Sequence, residues 1–133
     1  MDGGSSELVD ELAYSWLEMH KKSALTYLVL VALSEQEMWA KDLEKWINEL
    51  TDWSINERAL YRVLRRLEQQ GVIVFRTEPV KRSGAERKIF ATTDEGRSLL
   101  NVIRNELQYL TIGLTTLADG ERHQTPRYHE DNN

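Results

Sequence analysis

Hydrophobic positions recur at helical spacing along most of this chain and give way to short β-type runs only between residues 72 and 92. Leu8, Leu12, Trp16 and Met19 fall three and four apart, and Val9 and Leu17 widen the stripe, which predicts a helix over 6–20. Residues 24–33 are nearly all apolar and predict a buried helix. Ser34 and Glu37 have the spacing of a capping box, opening a helix over 38–50 that buries Trp39, Leu43, Trp46, Ile47 and Leu50. Ser54 and Glu57 repeat that spacing and open a helix that Gly71 ends, with Leu60, Val63, Leu64 and Leu67 as its inner stripe. Residues 72–78 and 87–92 are short, β-branched and aromatic, and the loop 79–85 joins them as a hairpin. Thr93 caps a last helix to about residue 118, and the aperiodic polar stretch 119–133 predicts a disordered tail.

The expected fold is mainly α with a small antiparallel β-hairpin. Helix, helix, basic helix and hairpin, in that order, make a winged helix-turn-helix, and a long C-terminal helix follows. The expected organisation is an N-terminal helix over 1–22, a winged unit over 23–93, the C-terminal helix over 94–118 and the tail.

Charge sharpens this picture. Between Ser54 and Phe90 nine Lys or Arg stand against four acids, a local balance of +5 in a chain whose total is −5. Arg58, Arg62 and Arg65, with Tyr61, line the outward side of the predicted helix that Gly71 ends, and Lys81 and Arg82 sit at the hairpin tip. Positive charge pooled on one helix and one hairpin in an acidic chain is an electrostatic footprint for a polyanion. In a winged helix the second helix of the pair enters the major groove of DNA, where arginine reads guanine and other basic groups hold phosphates. That basic helix would therefore carry base-reading Arg58, Tyr61 or Arg62, with Arg65 and the hairpin-tip Lys81 and Arg82 on the backbone. Ser54 and Asn56, at the predicted helix start, would position phosphates through free N–H groups. The alternative for Tyr61 is packing against the wing. The alternative for the whole protein is a winged-helix interaction module that binds protein without specific DNA binding; a metal-sensing winged helix is a third, disfavoured for want of ligands.

Several segments together resemble the PadR-like family of transcriptional regulators. Residues 25–34 look like the family's first helix, and Met38 to Leu43 lie where it carries Met-His-Gly-Tyr-Glu-Leu. Leu60-Tyr61, Leu64, Leu67-Glu68, Gly71 and Ile73 are similar to its recognition-helix pattern, and Ala91 to Arg97 resemble its Leu-Thr-x-Glu-Gly turn. Two departures stand out: Arg58-Ala59 replaces a small Gly-Thr pair, and Trp39, Ala40 and Lys41 interrupt the second-helix signature, so no contacts are carried over there. The resemblance implies a repressor that occupies a pseudo-palindromic operator in double-stranded DNA, and Tyr61 at a DNA-facing position. It also implies a small aromatic effector between dimer halves, for which Tyr14 and Trp16 are the candidate lining.

Leu100, Ile103, Leu107, Leu110, Leu114 and Leu117 step by alternating threes and fours, a heptad seam that a single helix cannot bury on its own domain. A homodimer is expected, with Leu8, Leu12 and Trp16 of the N-terminal helix packing on the partner's C-terminal helix, as the resemblance also implies.

The remaining composition excludes more than it adds. There is no cysteine, which removes disulfides and cysteine-ligated metals, and the three histidines are scattered. No nucleophile, phosphate-loop or dinucleotide motif appears, so neither catalysis nor a cofactor is expected. The longest apolar run, Tyr27 to Leu33, is too short to span a bilayer, and the N-terminus is acidic rather than basic and apolar. A cytoplasmic protein with no membrane partner is the expectation.

Overall fold

The structure, a computed structural model, describes residues 3–120. Its elements run α1 (Gly3–Glu35), β1 (Met38–Trp39), α2 (Ala40–Thr51), α3 (Glu57–Gln69), β2 (Ile73–Pro79), β3 (Glu86–Thr92) and α4 (Asp94–Ala118). The chain divides into two compact units with the boundary after Leu100. The first is the winged unit; the second, as far as it is described, is the rest of α4.

The two helices expected over 6–20 and 24–33 are one. No Gly or Pro interrupts residues 5–35, so nothing breaks the helix. The change from striped to wholly apolar sequence marks a change of surroundings. Val29, Leu30 and Ala32 are completely buried, whereas Leu8, Leu12 and Trp16 stand in solvent.

Met38 and Trp39, expected to open the helix over 38–50, instead form a strand paired with Phe90 and Ile89. The sheet is therefore three-stranded and antiparallel, in the order β1-β3-β2. The Ser34–Glu37 capping box does not form. Ser34 Oγ donates to the Val31 carbonyl at 2.6 Å, and Glu37 pairs with Arg76. Trp39 takes the N-cap position of α2 without a side-chain bond. Leu43 and Ile47 are wholly buried as expected, Trp39 and Trp46 are half-buried, and Leu50 is exposed.

The core joins α1, α2, α3 and the sheet through Leu30, Leu43, Ile47, Leu60, Leu64, Leu67 and Ile73. Each such burial contributes about 1.5–3 kcal/mol relative to exposure. A dense joint ties the end of α3 to the start of α4. The Thr93 hydroxyl donates to the Gly71 carbonyl at 2.8 Å and accepts from the Gly96 amide at 3.0 Å, and the Thr93 amide donates to the Val72 carbonyl at 3.1 Å. Gly96 packs so closely that a Cβ there would collide with the Val72 carbonyl and the Thr92 hydroxyl.

Candidate nucleic-acid interface

The turn into α3 is set by a side-chain amide. Asn48 Nδ2 donates to the Ile55 carbonyl at 3.0 Å, and its Oδ1 accepts from the Ile55 amide at 2.9 Å. The cap, and with it the start of the helix, lies two residues later than the Ser54 signal suggested. Asn56, not Ser54, is the N-cap, accepting from the Ala59 amide at 2.8 Å. The Ser54–Glu57 capping box is thus absent. Ser54 lies exposed in the irregular segment ahead of the helix, and the first-turn N–H groups left without an intrahelical partner are those of Glu57 and Arg58.

Arg58, Arg62 and Arg65 project into solvent from α3, opposite the buried stripe Leu60, Val63, Leu64 and Leu67. Tyr61 is half-buried, its ring edge-on to Phe90 at 6.4 Å between centroids. Its packing against the wing is therefore real. Burial, with a smaller contribution from Glu57, pushes the Tyr61 phenol above its ordinary pKa, so the hydroxyl remains a donor. Lys81 and Arg82 occupy the tip of the hairpin, where the Val80 amide donates to the Ala85 carbonyl at 2.7 Å and Gly84 supplies a positive φ of 72°. Both side chains are exposed.

Strand alternation sorts the remaining cations. With Phe75 opposite Phe90 and Glu78 opposite Arg87, one face of the hairpin carries Phe75, Lys88 and Phe90 toward α3. The other carries Arg76, Glu78 and Arg87. There Arg76 bonds both Glu37 at 2.9 Å and Glu78 at 3.0 Å, and Arg87 bonds Glu78 at 3.2 Å while stacking over Trp39 at 4.5 Å. Hydrogen bonds from these two arginines hold the Glu78 carboxyl below its ordinary range. Arg66 turns back to Thr26 on α1 at 2.8 Å. Among the described residues, Arg58, Arg62, Arg65, Lys81, Arg82 and Lys88 have no carboxylate partner. Sequence reasoning pooled all nine cations; the alternation within β2 and β3 was the signal that could have separated them and singled out Lys88.

Leu107, Leu110, Leu114 and Leu117 are 44–58% exposed along α4, and Leu8, Leu12 and Trp16 are 56–61% exposed along α1. Leu100 is buried in its own unit, and Ile103 is half-buried. Trp16 stacks on His20 at 4.8 Å, and His20 meets Trp53 edge-on at 6.0 Å. Tyr14 is two positions from Trp16, about 200° around the helix, so one copy of α1 does not bring both onto one wall. No His, Asp or Glu cluster suited to a metal occurs among the described residues, and none of their helices is long and apolar enough to cross a membrane. Of the tail expected over 119–133, Asp119 and Gly120 form a turn, and the rest lies outside the described residues.

These features define a winged helix-turn-helix protein with an α3 and a wing that present unpaired positive charge. The PadR-like family of transcriptional regulators matches residues 29–102, and the chain belongs to that family. It is accordingly a transcriptional regulator and not an enzyme. A PadR family regulator from Eggerthella lenta is 27% identical with a TM-score of 0.68, over 84% of this chain and 96% of that one. A PadR-like transcription factor from Bacteroides fragilis reaches the same TM-score at 20% identity, over 77% and 98% of the two chains. Bacillus subtilis PadR, solved in complex with operator DNA, is 27% identical with a TM-score of 0.54, over 82% of this chain and 54% of that one. Among curated proteins, none matches.

Proposed function

We propose that this protein is a cytoplasmic, homodimeric, sequence-specific DNA-binding repressor that acts by occupying a pseudo-palindromic operator. The observation that carries the reading is the cluster of six cations without a carboxylate partner that α3 and the hairpin present together, in a chain whose total charge is −5. The first turn of α3 enters the major groove, where Arg58, Tyr61 or Arg62 meets base edges. Arg65 and the tip residues Lys81 and Arg82 hold phosphates, and Ser54 and Asn56 flank the backbone where the helix begins. Residues 23–93 are the DNA-binding unit. Residues 1–22 and 94–118 make the dimer, because the apolar rows on α1 and α4 are too exposed to be stable in water without a partner. Likeness to a family member solved on operator DNA supports the same partner.

Titrating duplex DNA at several salt concentrations, with sedimentation in parallel, tests this. The expected result is a dimer whose affinity falls linearly in log–log form with salt, and a slope reduced by about 0.9 for each phosphate contact removed in Lys81→Ala and Arg82→Ala. A dimer indifferent to duplex DNA at low salt would make the surface a protein-binding one.

A further inference from the structure

Between α3 and the sheet lies a small cleft whose floor is aromatic and whose rim is charged. Phe75 and Phe90 meet at a tilt of 55° with centroids 5.9 Å apart, and Tyr61 closes one side edge-on to Phe90. The Lys88 ammonium lies 4.4 Å from the Phe75 centroid, and Arg65 and Glu68 complete the lining from α3. The cleft holds about 50 Å³. That exceeds the roughly 10–15 Å³ needed for one water and falls far below the about 300–1,000 Å³ of small-molecule sites. Only a compact group fits.

We infer that this cleft seats one backbone phosphate of duplex DNA, gripped by Lys88 and Arg65 with the Tyr61 hydroxyl as a third donor. The inference rests on the DNA-binding reading and adds a site, and a role for Lys88, that the reading leaves unassigned. Four observations support it. Lys88 and Arg87 are neighbours on β3, yet Arg87 on the far face is neutralised by Glu78 whereas Lys88 has no carboxylate partner. The Phe75 ring holds the Lys88 ammonium over itself through cation–π attraction, so the charge is placed before any ligand arrives. Arg65 and Lys88 outweigh Glu68, leaving the rim positive. Finally, the cleft lies between α3 and the strands of the wing, the two elements that meet DNA in a winged helix. Glu68 opposes a phosphate, so it tunes the grip downward.

The experiment uses the full-length protein and duplex DNA, read by fluorescence anisotropy across a salt series. Lys88→Ala and Arg65→Ala should each weaken binding equally on all sequences and lower the salt slope by about 0.9. Because both hold the same phosphate, the double variant should lose about one contact in slope, not two. Lys88→Arg should restore the slope, and Glu68→Gln should tighten binding. A methylphosphonate at one position per half-site should abolish the effect of Lys88→Ala. Inorganic phosphate at constant ionic strength should leave the NMR signals of Tyr61 and Lys88 unmoved. Binding by Lys88→Ala equal to wild type at every salt overturns the inference and leaves the DNA-binding reading intact. So does saturable capture of inorganic phosphate without an effect on DNA, which would make this a free-anion site. A wild type that binds no duplex removes both.

Discussion

Replacing Gly96 with Ala should destabilise the protein, although helix propensity alone argues the reverse. Gly96 lies in the first turn of α4, where Ala is ordinarily preferred by about 0.8–1.0 kcal/mol. Here an added Cβ would overlap the Val72 carbonyl oxygen and the Thr92 hydroxyl, and would lie 3.2 Å from the Val72 carbonyl carbon. Two of these obstacles are backbone atoms, which cannot rotate away. Overpacking of this kind costs about 1–3 kcal/mol. The displaced Val72 carbonyl also accepts from the Thr93 amide, and weakening that bond costs a further 0.5–1.5 kcal/mol or so. Setting the propensity gain against these costs leaves a net loss of about 2 kcal/mol, within a range of roughly 0.5–3.7. Urea unfolding at fixed protein concentration measures it, with Ser98→Ala, an exposed site on the same helix, as the control that should change little. A Gly96→Ala protein more stable than wild type would show that the α3–α4 joint is loose and refute the reasoning.

Three further outcomes are expected. Charged residues in place of Leu107 and Leu110 should give monomers or unfolded chains by sedimentation, since a buried unpaired charge is costly; an unchanged dimer would place the interface elsewhere. Arg58→Ala or Arg62→Ala, compared with wild type on a randomised operator library, should relax preference at one base per half-site at a cost of about 1–3 kcal/mol; uniform weakening would make these side chains phosphate clamps. Glu78, held below its ordinary 4.5 by Arg76 and Arg87, should contribute stability that is present above that value and lost as pH falls through its lowered folded pKa. Its carboxyl NMR titration should therefore have a midpoint below 4.5 that rises in Arg87→Ala, and a midpoint at or above 4.5 in wild type would contradict the bonded pair.

What the sequence showed and what it hid divide along physical lines. Period-3.6 stripes placed α3 and α4, and the β-branched runs placed the hairpin, because each pattern is local and long enough to repeat. The strand Met38–Trp39 was invisible because two residues carry no period and their pairing partners lie about fifty positions away. The join within α1 was misread because a change in burial looks like a boundary in the pattern, although the backbone had no reason to stop there. Choosing Ser54 over Asn56 as the cap came from two overlapping signals, Ser-x-x-Glu and an Asn immediately before the helix. The spacing rule alone does not rank them. The cation surplus was legible as a total, but only the strand register decided which charges are neutralised and which remain open.

Asn48 and the Asn56 cap pin the first end of α3, and the joint through Gly71, Val72 and Thr93 pins the other. If α3 reads the operator as proposed, a helix held at both ends has little freedom to adapt to an ill-fitting site. Any mismatch in curvature or groove width must then be absorbed by the nucleic acid, at an energy set by how readily its base steps kink or twist. Selection of bound sequences should accordingly enrich flexible steps, such as TA or CA, at positions that no side chain reaches. The stiffness of the protein would thus be written into untouched bases of its target.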